Sequence, residues 1–264
     1  VNPYETHPVT LASRAATLQE LADGRAVFGI GAGDRSTLNN LGIERDRPLA
    51  RVGEAVTTAR QLWAGDRVDH DGTFDANDAG LNYSVDPLPV YLGAQGPQML
   101  RLAARLADGV LVNASHPRDV AWAAEQLADG VEDRPDDRDP LEIAVYAVVS
   151  IAEDRAAARQ AARPPVAYIA AGAPEPVLDR HGLDPALAGD IGASIGAGDF
   201  EGAFDAVSAE MLDAFAAAGT PEAVADRFAA LLEHADGLVA GSPLGPEAAQ
   251  AVDLIRRAYD AVEL

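Results

Sequence analysis

Three glycine-rich segments carry the residues whose types and spacing point to chemistry in this sequence. They are GIGAGD (29–34), LGAQGP (92–97) and VAGSPLGP (239–246), and each follows an apolar, strand-like run. Residues with little or no side chain let the backbone approach a ligand closely. In two segments Gly-Pro then begins a helix-like pattern, whose first free N–H groups, such as that of Gly96, can hold an anion. The segments therefore predict a surface for a flat, phosphate-bearing ligand.

Side chains able to do covalent chemistry are scarce. Cysteine is absent, which removes thiolate catalysis and cysteine-based zinc sites. The five histidines lack metal-ligand spacing and no G-x-S-x-G motif occurs, so we predict no metal site and no triad. His7, in the first loop, is the histidine best placed for a role. Asp34 is the candidate catalytic residue, because its carboxylate could touch a substrate amide or act as an acid. The hard chemistry then belongs to a cofactor.

Two other interpretations of the glycine-rich segments stay open. The glycines can simply serve tight strand-to-helix turns, and Asp34 can be an ordinary loop cap. GIGAGD can also be compared with the dinucleotide fingerprint G-x-G-x-x-G, but its spacing is G-x-G-x-G and no helix pattern begins directly after it. Ligand binding is favoured because three similar segments end three strands of one predicted sheet.

The elements that would position these segments alternate between helix and strand patterns. Five apolar strands alternate with amphipathic helices, which predicts parallel strands with crossover helices. The carboxyl ends of such strands form the active face of a barrel. We predict the α/β class and a (β/α)8 TIM barrel, in one partial domain over 1–264 with an irregular insertion at about 172–205. Because five strands do not close a barrel, we expect three further strands before Val1. One helix is predicted to stop near Ala162 and to restart after Pro164–Pro165.

The charge composition excludes several classes of partner. The 264 residues include 42 acidic and 20 basic side chains, a net charge of −22, and no lysine. Such a surface repels nucleic acid and anionic membranes, and no apolar run approaches the ~18–20 residues that cross a bilayer. We interpret the dispersed acid excess as adaptation to high salt, where the Debye length falls to about 3 Å at 1 M. A GC-rich genome would explain the missing lysine only. The absence of cysteine and of a signal peptide favours the cytoplasm.

Five segments together resemble one enzyme family. VNPYETHP, GIGAGD, VYLGAQGPQM, DGVLVNASHP and VAGSPLGP are similar, in this order, to segments of the methylenetetrahydromethanopterin reductases. These belong to the bacterial-luciferase-like superfamily of (β/α)8 barrels and use the deazaflavin coenzyme F420. The resemblance implies hydride transfer from reduced coenzyme F420 to a methylene-bridged tetrahydropterin, giving the methyl form. It also implies homo-oligomers.

The resemblance further implies which residues line the cofactor pocket. A non-prolyl cis peptide near the start of VNPY would back the deazaflavin ring, and the glutamate usually proposed as proton donor would lie on a strand before Val1. The residues implied to bind the cofactor are Val1, Asn2, Gly31, Ala32, Gly33, Gly93, Ala94, Gln95, Gly96, Asn113 and Ala114.

The sequence alone leaves several alternatives to this function open. The resemblance leaves two substrates open, a tetrahydromethanopterin and a tetrahydrofolate that carries the same one-carbon bridge. A flavin monooxygenase using reduced FMN and oxygen belongs to the same superfamily, but such enzymes usually need a basic or histidine-rich pocket. A non-catalytic cofactor-binding fragment or subunit is the third possibility, which predicts ligand binding without turnover.

Overall fold

The computed structural model describes residues 1–136 and 138–262, which form two compact units. Unit 1 comprises Val1–Val112 and Ala123–Ile143, and unit 2 comprises Asn113–Trp122 and the chain from Ala144 onwards. In the described part of the chain, no helix is both long enough and apolar enough to span a bilayer.

Unit 1 contains a three-stranded parallel sheet, a hairpin and the helices that connect them. Its elements are α1 (Pro8–Leu21), β1 (Phe28–Ile30), α2 (Arg35–Asn40), α3 (Pro48–Trp63), β2 (Val68–Asp71), β3 (Asp75–Ala79), β4 (Val90–Gly93), α4 (Pro97–Leu106), most of β5 (Gly109–Asn113) and the second half of α5 (Pro117–Val131). The sheet has β4 between β1 and β5, and the hairpin is antiparallel β2–β3.

The register of the first sheet brings two predicted ligand segments to the same edge. Ile30, the last residue of β1, lies opposite Leu92, and Gly93 lies opposite Leu111 of β5. Val90 and Leu92, at alternate positions of β4, are completely buried. Burying one such side chain contributes roughly 1.5–3 kcal/mol, so the packed layer fixes the positions of the strand ends.

Unit 2 contains three further parallel strands and most of the remaining helices. Its elements are most of β6 (Glu142–Ile151), α6 (Arg155–Gly172), α7 (Glu175–His181), α8 (Pro185–Gly196), α9 (Phe200–Asp205), α10 (Ala209–Phe215), β7 (Ala217–Gly219), α11 (Pro221–Leu232), β8 (Gly237–Leu244) and α12 (Ala248–Asp260). Strand β6 lies between β7 and β8, and both pairings are parallel.

The predicted break in α6 is wrong. The helix runs without interruption through Pro164 and Pro165. Its buried face continues on both sides of the prolines, with Ala162, Val166 and Ala170 packed in one apolar cluster. Proline removes backbone donors and normally costs about 3 kcal/mol or more inside a helix, so tertiary packing must outweigh the local preference here.

Two short elements were absent from the sequence-based prediction. Helix α2 begins at Arg35, directly after the GIGAGD segment, where we expected no helix. Strand β7 has the sequence AAG, which carries no strand signal, and it forms because Ala217–Gly219 pairs with the end of β6. The predicted insertion at 172–205 contains α7, α8 and α9, and whether it is an insertion in a single domain stays a prediction.

Candidate functional site

The ends of β1 and β4 meet at bare backbone. A Cβ atom placed on Gly31 would lie 3.5 Å from the carbonyl oxygen of Gly93, so these two backbone segments lie close together. A Cβ on Gly93 itself would meet nothing within 4 Å, and Gly93 is exposed. The structure therefore brings the first two glycine-rich segments together, as the parallel arrangement predicted, and leaves an open face beside Gly93.

Asp34 ends the first segment as the N-cap of α2. Gly33 makes the preceding turn with a φ of 70°, a left-handed conformation that favours glycine. One oxygen of the Asp34 carboxylate accepts hydrogen bonds from the Thr37 N–H at 2.7 Å and the Thr37 hydroxyl at 2.9 Å. These bonds, the one from the N–H being the larger influence, hold the pKa of Asp34 below its ordinary value. An ionised Asp34 is suited to accepting a hydrogen bond and poorly suited to acting as an acid.

Val1 and Asn2 lie beside the end of β1. The amino group of Val1 donates to the Gly29 carbonyl at 2.9 Å, and the Val1 carbonyl accepts from the Gly31 N–H at 3.1 Å. A Cβ on Gly33 would lie 3.3 Å from the side chain of Asn2. Predicted site residues from the first and second positions of the chain thus adjoin the Gly31–Gly33 turn.

The cis peptide expected near the start of VNPY is not found within residues 1–4. Among the residues that the structure describes, the cis bond is Ser242–Pro243. The Asn2 side chain instead shapes this segment through a local turn, accepting from the N–H groups of Tyr4 and Glu5 at 3.1 Å each.

The second segment opens helix α4 without a capping side chain. Gly96 is the N-cap residue, makes no side-chain capping bond, and is exposed with no atom within 4 Å of a Cβ placed on it. Pro97 takes the first helical position, where its missing N–H costs nothing. Gln95, which precedes the cap, is also exposed. The start of α4 therefore presents backbone N–H groups and the positive end of the helix dipole to whatever lies beside Gly96.

The three alanines that were predicted to bind the cofactor are buried, so their side chains do not form an open surface. Ala32, Ala94 and Ala114 are 7%, 3% and 6% exposed. Each also uses a backbone group internally: the carbonyl of Ala32 accepts from Arg45 Nε at 3.2 Å, and the N–H groups of Ala94 and Ala114 donate to other strands. Within unit 1 the open surface belongs to Gly93 and its neighbours on α4.

The segment after β5 is held within unit 2. Asn113, the last residue of β5, is exposed, whereas Ala114 donates its N–H to the Tyr146 carbonyl at 3.0 Å. The Ser115 hydroxyl accepts from the Val148 N–H at 3.0 Å, and the Ser115 carbonyl accepts from Arg227 at 2.9 Å. Asn113 is two residues beyond Leu111, the register partner of Gly93 on β4.

The third glycine-rich segment has a packing role. It lies largely within β8, and α12 begins only at Ala248. A Cβ on Gly241 would collide with Tyr146, and one on Gly245 would collide with the carbonyl of Ile151. These glycines are required because another group occupies the space, so the prediction of a third bare strand end is wrong.

Sequence reasoning missed Arg45, which lies beside the first segment. Besides its bond to the Ala32 carbonyl, its positive charge contributes to the lowered pKa of Asp34. It forms no ion pair in the described part of the chain. The sequence ERDR around it gives no signal, because only the folded loop brings it to the turn.

The histidines mostly have structural partners. His7 caps α1 through Nδ1, which accepts from the Val9 N–H at 3.3 Å, and its Nε2 lies 2.9 Å from the Asp75 carbonyl. The Asp119 carboxylate pairs with His181 at 2.7 Å and with Arg180 at 2.6 Å. Among the described residues, no cluster of three or more potential ligands could hold a metal ion.

His116 is neutral because of its surroundings. Burial, followed by the charges of Arg227 and His181, lowers the pKa of His116 to about 4, although Asp119 acts in the opposite direction. Arg118 also lowers this pKa by its charge, and its N–H donates to His116 Nδ1 at 3.1 Å. A neutral ring with an occupied Nδ1 can donate only from Nε2.

A cavity of about 810 Å³ lies elsewhere in unit 1, between α3 and α4. Side chains of the two helices and the β2 strand line it, including Glu54, His70 and Arg101. None of the predicted cofactor-binding residues takes part, so the cavity is separate from the strand ends.

Bare backbone at the ends of neighbouring parallel strands, beside one ionised carboxylate, defines an α/β protein built to bind a ligand that brings its own chemistry. The chain belongs to the luciferase-like monooxygenase family, whose family model matches residues 1–238. The predicted luciferase-like α/β barrel class is thereby confirmed.

Individual relatives show which enzymes of that family this chain resembles. The 5,10-methylenetetrahydromethanopterin reductase of Archaeoglobus fulgidus is 43% identical over 260 residues, which cover 96% of this chain and 78% of that protein. The enzyme of the same name from Methanolobus tindarius is 40% identical over 257 residues, covering 96% and 79%. The solved structure of the coenzyme F420 dependent tetrahydromethanopterin reductase from Methanopyrus kandleri superposes with a TM-score of 0.90 at 33% identity, over 100% of this chain and 82% of that one. The resemblance found in the sequence is confirmed.

Proposed function

We propose that this protein is a coenzyme F420-dependent reductase that converts a methylene-tetrahydropterin to its methyl form. The main support for this proposal is the open backbone surface at Gly93 and Gly96 beside Gly31. It occurs in a chain that is 43% identical to a 5,10-methylenetetrahydromethanopterin reductase. A Cβ on either Gly93 or Gly96 would occupy space that is otherwise empty. The residues present therefore fit a flat group lying on backbone.

The chain's own residues supply binding and orientation. The ring would be held through backbone by Gly31, Gly33, Gly93 and the Gln95–Gly96 pair, with Val1 and Asn2 at its border. The uncapped start of α4 favours the phosphate, since backbone N–H groups and the helix dipole attract an anion without a basic side chain. When bound, reduced coenzyme F420 supplies the hydride.

Asp34 is proposed to contact the substrate as an ionised acceptor. Its pKa is lowered by its bonds to Thr37, so it carries a negative charge over the neutral range. A carboxylate in this state can accept from an amide or amino group of a pterin ring. The exposure of Asp34 leaves its second oxygen available for that contact.

Tetrahydromethanopterin is the favoured carrier, because the reported relatives are named for it. Tetrahydrofolate with the same one-carbon bridge is the alternative. The flavin monooxygenase reading has less support, since the relatives of highest identity reported above are reductases. We further propose a cytoplasmic protein adapted to high salt, which the lack of cysteine and the net charge of −22 support. The proposal that it is a homo-oligomer rests on the family resemblance alone.

The test is a coupled spectroscopic assay in high salt. Reduced coenzyme F420 is mixed with the protein and either methylene-tetrahydromethanopterin or methylene-tetrahydrofolate, and cofactor oxidation is followed by absorbance. Oxidation that depends on one carrier supports the proposal and identifies the substrate. Oxidation no faster than without protein rejects it, and bound FMN in the purified protein would favour the monooxygenase.

A further inference from the structure

A small cavity in unit 2 concentrates arginine side chains. Its volume is about 170 Å³. The residues that line it are Arg155, Arg159, Asp213, Ala216, Ala217, Ala218, Ala223 and Arg227. Apart from the charged residues the lining is alanine, whose methyl groups leave the space open. The sequence has only 20 basic residues against 42 acidic ones, so three arginines around one cavity oppose the general charge of the protein.

Carboxylates do not balance this positive charge. Asp213 is the acidic residue in the lining, and its Oδ1 accepts from Arg159 at 2.5 Å. Arg155, at the start of α6, is paired with no carboxylate in the described part of the chain. Its neighbour Asp154 uses one carboxylate oxygen to cap α6, accepting from the Ala156 N–H at 2.8 Å. The lining thus keeps two positive charges in excess.

Arg227 brings one of these charges partly out of water. It is half-buried and donates to the carbonyls of Ser115 at 2.9 Å and Asp213 at 3.1 Å. Burial lowers the pKa of Arg227, and the nearby charge of Arg159 lowers it further, whereas Asp213 raises it. Guanidinium groups stay charged in proteins. Carbonyl oxygens cannot neutralise this charge, so an anion in the cavity would stabilise it.

We propose that this cavity binds a small oxyanion, the chemistry shared by phosphate and carboxylate groups. Arginine matches such groups with paired N–H donors. The volume is several times the roughly 30 Å³ that one water molecule occupies. It is below the roughly 300–1,000 Å³ of pockets that enclose whole organic ligands, so the cavity fits a single anionic group.

The anion has two possible sources. It is either a free ion such as inorganic phosphate, or the anionic arm of a larger molecule whose remainder lies outside the cavity. Arg227 connects the cavity to the Ser115 carbonyl, one residue beyond the Asn113–Ala114 pair implied to bind the cofactor. The second source rests on the proposed function, and the first does not.

The test is calorimetric titration of the full chain with inorganic phosphate at constant ionic strength. Arg155→Gln removes one unpaired charge from an exposed side chain, and we expect phosphate to bind about tenfold more weakly, as for loss of one hydrogen bond to a charged group. Asp213→Asn removes the competing carboxylate, and we expect tighter binding. Arg257→Gln, an equal charge change on the exposed surface of α12, is the control and should leave the affinity within twofold.

Opposite effects of Arg155→Gln and Asp213→Asn, with no effect of the control, support the anion site. An absence of phosphate binding, or binding that none of the variants changes, overturns it. The source is then found by titrating phosphate-bearing deazaflavin and the same deazaflavin without phosphate. If Arg155→Gln weakens only the former, the anion is the cofactor's phosphate, and the proposed placement of that phosphate at the start of α4 is then wrong. If it weakens neither while free phosphate responds, the site takes a free ion. Failure of wild-type protein to bind any deazaflavin would reject the proposed function alone.

Discussion

Replacing Gly93 by valine tests the open surface directly. Gly93 ends β4, its φ lies outside the left-handed region, and a Cβ there meets nothing within 4 Å. The valine side chain should therefore be accepted by the folded protein. It should also stand on the face where the deazaflavin ring is proposed to lie, which would lift the ring from the backbone.

The two effects differ in size. An exposed substitution away from packed groups usually changes the free energy of unfolding by within about 0.5 kcal/mol, and valine suits a strand. Forcing extra methyl groups into a filled contact typically costs about 1–3 kcal/mol. In a dissociation constant that is roughly a 5- to 150-fold increase. Gly93→Ala, with a single methyl group, should lie between wild type and Gly93→Val.

The assay is fluorescence titration of coenzyme F420, with denaturant unfolding measured on the same samples. Gly237→Val is the matched control, because Gly237 opens strand β8 and a Cβ on it also meets nothing within 4 Å. We expect Gly93→Val alone to lose cofactor affinity while both variants keep their stability. Wild-type affinity in Gly93→Val would refute the reasoning, since a ring lying on this backbone cannot avoid the added side chain.

Three further predictions concern Asp34 and Arg45, at the first glycine-rich segment, and His116 in unit 2. Asp34→Asn keeps the helix cap and removes the charge, so it should lower turnover without loss of stability. Asp34→Ala should lower turnover and also reduce the free energy of unfolding by about 1 kcal/mol, because the cap is lost. Equal turnover in both variants and wild type would exclude a substrate contact. Arg45→Gln removes the bond to the turn at 31–34 and should weaken cofactor binding severalfold by titration, while Arg25→Gln, before β1, should not. The lowered pKa of His116, about 4 against about 6.5 when unfolded, means that the unfolded chain binds more protons between these values, so stability should fall as the pH drops from 6.5 to 4. The full shift would correspond to about 3 kcal/mol, and solvent screening of a half-buried ring should reduce it to about half of that. Unfolding curves at pH 7 and pH 5 measure the part of this loss, about half, that develops by pH 5. His116→Asn should make the stability difference between the two pH values smaller.

Much of the fold could be predicted because the signals are local. Helix α3 begins at Pro48 and ends just before Gly65, α11 follows the capping residue Thr220, and β6 is a ten-residue, mostly apolar run. Capping residues and apolar periodicity act over a few positions, so they are visible in the sequence. The continuous α6 and the strand β7 were not visible, since both depend on partners distant in the chain.

The candidate site, like the fold, could be predicted only in part from the sequence. Glycine composition predicted that 29–34, 92–97 and 239–246 are all ligand segments, but the glycines of 239–246 make room for the Tyr146 side chain and the Ile151 backbone instead. Whether a glycine faces empty space or a neighbouring group depends on what the fold places against it. Sequence alone could not separate the two cases.

The sequence by itself determined that the chain alternates helices with parallel strands, has no cysteine and no G-x-S-x-G motif, and has small residues where strands end. These properties follow from residue types and short-range spacing. The tertiary structure alone decided that Gly31 meets Gly93, that Arg45 reaches the Ala32 carbonyl, and that three arginines surround one cavity in unit 2. Each of these depends on strand register or helix packing, which joins residues far apart in the chain and leaves no local pattern.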